Sequence, residues 1–423
     1  MELELPFRPT TAARTVIAPI LGLWATIATI IATTIATTIA TTVATTVATT
    51  VAITVAITLA ITVAITAATT VAITVAITVA ITVATTVAAA ETPQRDAFLW
   101  PPKAITPFAS PAEPGEGEFT AVPSDVVTTD PSRGPAVMQT TLRTTTRGTK
   151  AVARIVAWDP RRIELRMRPG RMNPVPPKGP RGDGRLPQDA ALASRLIGAF
   201  NGGFLTEDVT CCDGMTVDGH EYTPATPRGA TIALLEDGRT GLGTWPKGPV
   251  SLESLGIVSL RQNLVPFIEG GRVDPYSRKR WGGTLDVKFA VGDTTIRTAL
   301  CNVKGGGLFY FYFSFADPAQ LAAVLTRAGC DYAVHLDMNP GHASFEFYRA
   351  LTAAQEPKDP KGVVDFAGQR VEATPLVEKL RRSNFPRYLK KSSSDFFYLV
   401  LRPASTPAPS PPVVRLFGEG TAP

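Results

Sequence analysis

The residues best suited to chemistry fall in three places. The first is Asn201-Gly202-Gly203-Phe204, which follows an apolar run at 196–200. Two consecutive glycines let a backbone take positive φ and approach a ligand closely, and an Asn before them sets a side-chain amide at the mouth of the turn. The same tetrapeptide also makes an ordinary turn. The second is the segment from His335 through Asp337 and Asn339 to His342, which carries two of the three histidines. In a strand, His335 and Asp337 share one face. An imidazole beside a carboxylate suits proton transfer, and equally suits a buried pair satisfying its own hydrogen bonds. The third is Arg297, whose guanidinium is shaped to hold a phosphate bidentately or to form a salt bridge.

These residues need a framework, and the sequence supplies one. Residues 151–158 read as a strand, and 163–168 alternate apolar and charged positions with a period of two. A short helix is expected at 189–196, and strands at 231–235, 255–260, 295–303 and 308–315. Asp317 caps a helix with Pro318 at its first position and Gly329 at its end. The chain then returns as a strand over 330–338, completing a strand–helix–strand unit. Residues 374–382 read as helix and 396–401 as a last strand. The expected fold class is α+β, one mixed-sheet domain with flanking helices.

Composition divides the 423 residues further. Residues 1–14 read as a short cytoplasmic N-terminus. Residues 15–90 form an apolar Thr/Ala/Val/Ile tetrapeptide repeat, with no charge between Arg14 and Glu91. An apolar stretch of about 20 residues spans a bilayer as a helix, and alanine at every fourth position suits close helix packing in lipid. This membrane-type segment is therefore the expected anchor, with Arg8 and Arg14 on the cytoplasmic side and the globular part extracytoplasmic, in the cell envelope. As a strand, or as an expanded tract with no specific fold, the repeat would carry no such role. Residues 91–149 are a Pro/Thr-rich linker, 150–402 the globular domain, and 403–423 a Pro-rich disordered tail.

The net charge is +6, with its densest basic run at 161–185. No aromatic–basic interleaving accompanies that run, so nucleic acid is not an expected partner. Four cysteines allow three pairings. Cys301–Cys330 would join core strands, whereas adjacent Cys211 and Cys212 would form a strained bridge. No spacing matches a zinc site, and neither a metal nor a cofactor is called for.

In order and spacing, Asn201-Gly202-Gly203-Phe204, Arg297-Thr298-Ala299, the helix from Asp317 to Gly329, and Leu336-Asp337 resemble the phosphodiester glycosidase family. The resemblance covers about 150–401. It departs at Leu205, where the family has Phe, at Cys301, where it has Gly, and at Met338-Asn339-Pro340-Gly341-His342, where it has a glycine-rich loop. The resemblance implies hydrolysis of a glycosyl phosphodiester at the anomeric carbon. Arg297 and the Gly202/Gly203 backbone would then hold the phosphate, and Asp337 would stabilise the developing positive charge or activate water. Asn201 and His342 would bind sugar hydroxyls or the leaving oxygen, beside His335 and Asn339, with Asp213 or Asp218 as a second carboxylate. The expected partners are a sugar-phosphate or phosphodiester-linked glycan and, through the N-terminal segment, a membrane. Two alternatives remain: a catalytically inactive, membrane-tethered binding protein for an anionic glycan, and a metal hydrolase using His220, His335, His342 and Asp337.

Overall fold

The computed structural model describes residues 26–27, 29–33, 99–122, 134–146, 149–176, 180–209, 212–273, 275–276, 294–380 and 384–417. The chain divides into two units, Met1–Gln94 and Arg95–Pro423. In the first, the described residues 26–27 and 29–33 are helical, and the rest of the expected anchor lies outside the described residues. No described helix is long and apolar enough to cross a membrane.

The second unit is built from three sheets. The eight-stranded sheet runs β1 (Thr120–Ala121), β2 (Val137–Thr146), β3 (Thr149–Trp158), β14 (Leu308–Ala316), β13 (Thr295–Val303), β15 (Cys330–His335), β11 (Ile268–Glu269), β12 (Arg272–Val273). A six-stranded sheet runs β20 (Val413–Arg415), β9 (Thr240–Thr244), β8 (Ala230–Leu235), β10 (Ile257–Gln262), β6 (Met215–Val217), β7 (His220–Thr223). The other runs β17 (Val363–Phe366), β18 (Gln369–Pro375), β16 (Phe345–Ala350), β5 (Leu196–Asn201), β19 (Phe396–Leu401), β4 (Ile163–Arg168). Every pairing is antiparallel except β20 with β9.

The α+β expectation is therefore corrected: the described fold is mostly β. Its α-helices are α1 (Ala190–Ala193), α2 (Pro318–Arg327) and α3 (Arg387–Lys390). The physical reason is what covers each sheet face. One core cluster holds Val156, Trp158 and Tyr310 from the first sheet, Ile232 and Leu242 from the second, and Phe200, Phe345 and Phe397 from the third. Sheets thus cover sheets, which leaves little face for flanking helices. Phe200 lies at the junction, with ring centroids 4.9 Å from Tyr310, 5.4 Å from Phe397 and 5.9 Å from Trp158.

The helix expected at 374–382 is also corrected. Val371, Glu372, Ala373 and Pro375 are buried and Thr374 is exposed; β18 runs on to Pro375, and among the described residues after it a 3-10 turn lies at Glu378–Leu380. Strand also occurs where composition reads as linker or tail: β2 lies within 91–149 and β20 within 403–423.

The strand–helix–strand unit is present in a modified form. β14 and β15 each pair antiparallel with β13, so they run parallel to one another with β13 between them. α2 makes the crossover, and its start is a capping box. The Asp317 carboxylate accepts from the Gln320 amide N–H at 2.8 Å, and the Gln320 side chain accepts from the Asp317 N–H at 2.9 Å. The apolar side of α2, with Leu321, Val324 and Leu325, covers the other face of the large sheet.

On that face Cys301 of β13 and Cys330 of β15 form a disulfide with Cα atoms 5.8 Å apart. It closes a loop with a sequence separation of 29 residues. Removing such a constraint on the unfolded chain costs about 2–4 kcal/mol. Urea unfolding of the oxidised protein and of a Cys301→Ser/Cys330→Ser variant is expected to differ by that amount.

Candidate active site

β5 ends at Asn201, where the three sheets come together. The Asn201 side chain is 3% exposed and its amide is fully engaged. Its Nδ2 donates to Thr298 Oγ1 at 3.0 Å, to the Asp337 carbonyl at 3.2 Å and to the Gly202 carbonyl at 3.2 Å. Its Oδ1 accepts from the Tyr310 hydroxyl at 3.0 Å and the Ser344 N–H at 3.3 Å. An amide used this fully ties β5 to β13, β14 and the loop after β15, and has nothing left for a sugar hydroxyl.

Gly202 and Gly203 do not take positive φ. They are glycines because of close approach. A Cβ on Gly202 would lie 1.9 Å from Asp395 Oδ2, and one on Gly203 2.6 Å from the Arg261 guanidinium. Their N–H groups are committed as well: Gly202 donates to the Asp395 carbonyl at 3.0 Å and Gly203 to Asp395 Oδ2 at 3.1 Å. The turn thus wraps a carboxylate of the protein itself, in the place where the sequence suggested a phosphate.

That carboxylate belongs to a buried ion pair missed by the sequence reading. Arg261, on β10, donates Nε to Asp395 Oδ2 at 2.9 Å and Nη2 to Oδ1 at 3.1 Å, and both side chains are 1% exposed. Its remaining donors go to the carbonyls of Asp213, Gln262 and Phe204. Beside it, Asn263 accepts from the Phe204 N–H at 2.9 Å and donates to the His335 carbonyl. The available signal was local: Arg261 sits in a largely buried strand next to Leu260, and Asp395 directly precedes the apolar run Phe396–Leu401.

Asp337 lies just past β15 and is 1% exposed. Its N–H donates to the Gly202 carbonyl at 2.9 Å, and its carbonyl accepts from Thr298 Oγ1 at 2.7 Å. Its Oδ1 accepts from the Asn339 N–H at 2.8 Å, and Oδ2 lies 2.8 Å from His342 Nδ1. Burial raises the Asp337 pKa above the ordinary carboxylate range, with the His342 hydrogen bond opposing it and Asp395 adding repulsion. His342 is the more accessible partner, its side chain 18% exposed against 2% for Asp337. With Asp337 ionised, Nδ1 is the donor and Nε2 carries the free lone pair.

The loop holding His342 has a clamp, also unread in the sequence. Arg387, at the start of α3, donates Nη1 to the His342 carbonyl at 2.5 Å and Nη2 to the Gly341 carbonyl. The Arg387 N–H donates to buried Glu346 at 2.8 Å, and Glu346 also accepts from the Tyr348 hydroxyl at 2.7 Å. Burial raises the Glu346 pKa in its turn.

Of the other sequence candidates, Asn339 reaches the Asp337 carboxylate through its backbone N–H. Arg297 is fully buried, donating Nε to the Ala316 carbonyl at 2.7 Å and Nη1 to Met338 Sδ at 3.3 Å. His335 is fully buried against the Phe204 ring at 5.5 Å, and the hydrogen-bond partner of Asp337 is His342. Asn339 is exposed at the loop tip, its Oδ1 accepting from the Gly341 N–H at 2.8 Å. Asp213 Oδ2 is buried and has no hydrogen-bond partner among the described residues. Asp218 is exposed in the β6–β7 turn, in a groove with Arg166 and Tyr398 that contains none of the residues around Asp337. His220 packs edge-on against Tyr222. Among the described residues, no three His, Cys, Asp or Glu side chains gather as ligands, so the four residues of the metal alternative do not form a set.

No family model matches the sequence, and no curated protein matches it. Solved structures with a distant similarity include the following two. The zebrafish N-acetylglucosamine-1-phosphodiester alpha-N-acetylglucosaminidase catalytic domain, auto-inhibited by its pro-peptide, is 17% identical over 64% of this chain and 85% of that one, with a TM-score of 0.39. A hypothetical protein from Synechocystis is 11% identical over 63% of this chain and 62% of that one, with a TM-score of 0.35. Likenesses at that level carry nothing about the reaction.

Two outcomes are expected from this geometry. Gly202→Ala forces its Cβ into Asp395, and Asp395→Asn leaves Arg261 buried without its counter-charge. The second is expected to cost about 3–5 kcal/mol in urea unfolding, and Gly202→Ala to destabilise the same junction. The raised Asp337 pKa fixes the sign of a pH effect. As pH climbs, the unfolded chain ionises at Asp337 first, so stability falls from the ordinary carboxylate range up to the raised folded value and then levels. Glu346 acts in the same direction. Across about pH 3.5–7, the stability of wild type minus that of Asp337→Asn is expected to decline.

Proposed function

We propose that the domain is a hydrolase whose acid–base group is His342, oriented by Asp337, and that it cleaves a glycosyl phosphodiester at the anomeric carbon. The observation that carries the first half is the 2.8 Å contact from His342 Nδ1 to a buried carboxylate, with the imidazole as the more exposed member. The second half is supported by the order of the motifs around Asn201, Arg297 and Asp337. The roles differ from those that order implies. Asn201 and the Gly202/Gly203 backbone are structural, holding Asp337 and Asp395. Asp337 fixes the ring and balances the charge that develops on it.

In this reading His342 Nε2 takes a proton from water as the water oxygen bonds to the anomeric carbon. The bond from that carbon to the phosphate oxygen breaks, and its electrons leave on a phosphate monoester. That leaving group is stable as an anion, so a strong general acid is not required. The products are the free sugar and the phosphomonoester. The disulfide between Cys301 and Cys330 supports work in an oxidising, extracytoplasmic compartment. A membrane anchor in 15–90 remains part of the proposal.

The test is release of reducing sugar from an alkyl diester of a hexose 1-phosphate. His342→Ala is expected to lower kcat by about 10²–10⁴-fold, with KM little changed and the circular dichroism spectrum intact. Asp337→Asn is expected to lower kcat in the same direction. Wild-type turnover by a folded His342→Ala protein would overturn the assignment. Saturable binding of the diester by wild type with no product would favour the inactive binding protein.

A further inference from the structure

A second place on the large sheet has the chemistry of a ligand site. A cavity of about 400 Å³ lies between the edge of that sheet and the segment 376–378. Its sheet side is polar. Thr120 of β1 lies opposite Gln139 of β2, and Thr141 of β2 lies opposite Arg154 of β3. Residues directly opposite share a face, as do positions two apart on a strand. Thr120, Gln139, Thr141 and Arg154 therefore all project from one face. The same face further along β3 carries Val156 and Trp158 into the core, so this corner departs from the apolar pattern of its own surface.

Arg154 is the unusual member. It is half-buried, yet among the described residues its side chain makes no hydrogen bond or ion pair. Other half-buried arginines of the domain are engaged, Arg166 with Glu164 and Arg349 with Glu372. A partly desolvated guanidinium whose donors are unengaged can take an outside acceptor.

The remaining lining narrows the class. Glu118 and Glu378 also face the cavity, so its formal charge is not positive and a phosphate dianion is disfavoured. Arg154 supplies donors, Glu118 supplies acceptors, Gln139 and Thr141 supply both, and the Thr120 hydroxyl, which donates to the Gln139 carbonyl, can accept. Leu376 and Val377 form an apolar wall opposite. Alternating hydroxyl donors and acceptors with one C–H-rich face is the surface of an uncharged sugar ring. The volume lies within the range of small-molecule pockets.

We propose that this cavity is a binding subsite for a neutral hexose or hexosamine unit of a glycan, with Arg154 as its principal donor. Its position relates it to the candidate active site. Arg154 lies opposite Tyr312 of β14, Tyr312 lies opposite Thr298 of β13, and Thr298 Oγ1 donates to the Asp337 carbonyl. Two strand spacings, about 10 Å, separate Arg154 from Thr298 on a common face. If the domain cleaves a glycosyl phosphodiester, the subsite holds the part of the glycan remote from the cleaved bond. Sugar binding itself stands apart from that reading.

The experiment measures binding by titration calorimetry on the full-length chain, without any turnover. The probes are methyl glycosides of glucose, mannose, galactose and N-acetylglucosamine, with glucose 6-phosphate as the charged comparator. Saturable binding of at least one neutral glycoside is expected. Arg154→Met keeps the aliphatic stem and removes the charged head, and should weaken that binding about tenfold or more. Gln139→Leu, a second variant at the same corner, should weaken it as well, and circular dichroism checks that each is folded. No saturable neutral sugar, binding of the phosphorylated sugar alone, or wild-type affinity in both folded variants would each overturn the proposal.

Discussion

Arg261 and Asp395 are held out of water at the junction of the three sheets, and much of the nearby architecture answers to that burial. Removing one partner of such a pair leaves an uncompensated charge, a loss of about 3–5 kcal/mol. Both groups must therefore have every donor and acceptor matched. The guanidinium reaches three carbonyls besides the carboxylate, and the carboxylate draws in the Gly203 N–H. Only a backbone without side chains passes close enough to do this, which explains the two glycines. The polar side chains around the pair, Asn201 and Asn263, then fasten β5 and β10 to the large sheet.

This junction also fixes the Asp337 backbone, since its N–H and carbonyl are both held by residues of the joint. What remains adjustable is the side-chain pair of Asp337 and His342 on the following loop. Arg387 limits that loop from the other side by binding two successive carbonyls. A held backbone below and a clamped loop above restrict the orientations open to the imidazole. Burial and the nearby Asp395 oppose ionisation of Asp337 while His342 favours it, so the state of the pair depends on how closely the loop sits.

Much of the local structure was legible in the sequence. The apolar runs at 196–200, 308–315 and 396–401 and the Pro318 helix start all rest on short-range signals, and the structure contains each of them; of the three cysteine pairings the sequence allowed, it contains Cys301–Cys330. The fold class was not legible. Strand segments such as 137–146 and 369–375 were hidden by Thr-rich composition or by charged residues within them, and what covers a sheet face is a matter of long-range packing. The strand at 369–375 also shows why 374–382 misled: a short stretch mixing Thr, Pro, Leu and charged residues fits a helical turn as readily as the end of a strand.

The sequence by itself marked Asn201, Arg297 and Asp337 as candidates and placed them on strands or at strand ends, because backbone periodicity and turn residues are local properties. Only the tertiary structure decided what each of them touches. Gly203 meets Asp395 across 192 residues of sequence, and Arg261 meets the same carboxylate across 134. Partners at such separations are chosen by how sheets stack and by the requirement that every buried charge be satisfied, and neither is written in any short segment of the chain. The Asn-Gly-Gly turn is the clearest instance: its residue types announced a close approach, and the packing of three sheets made that approach an internal carboxylate.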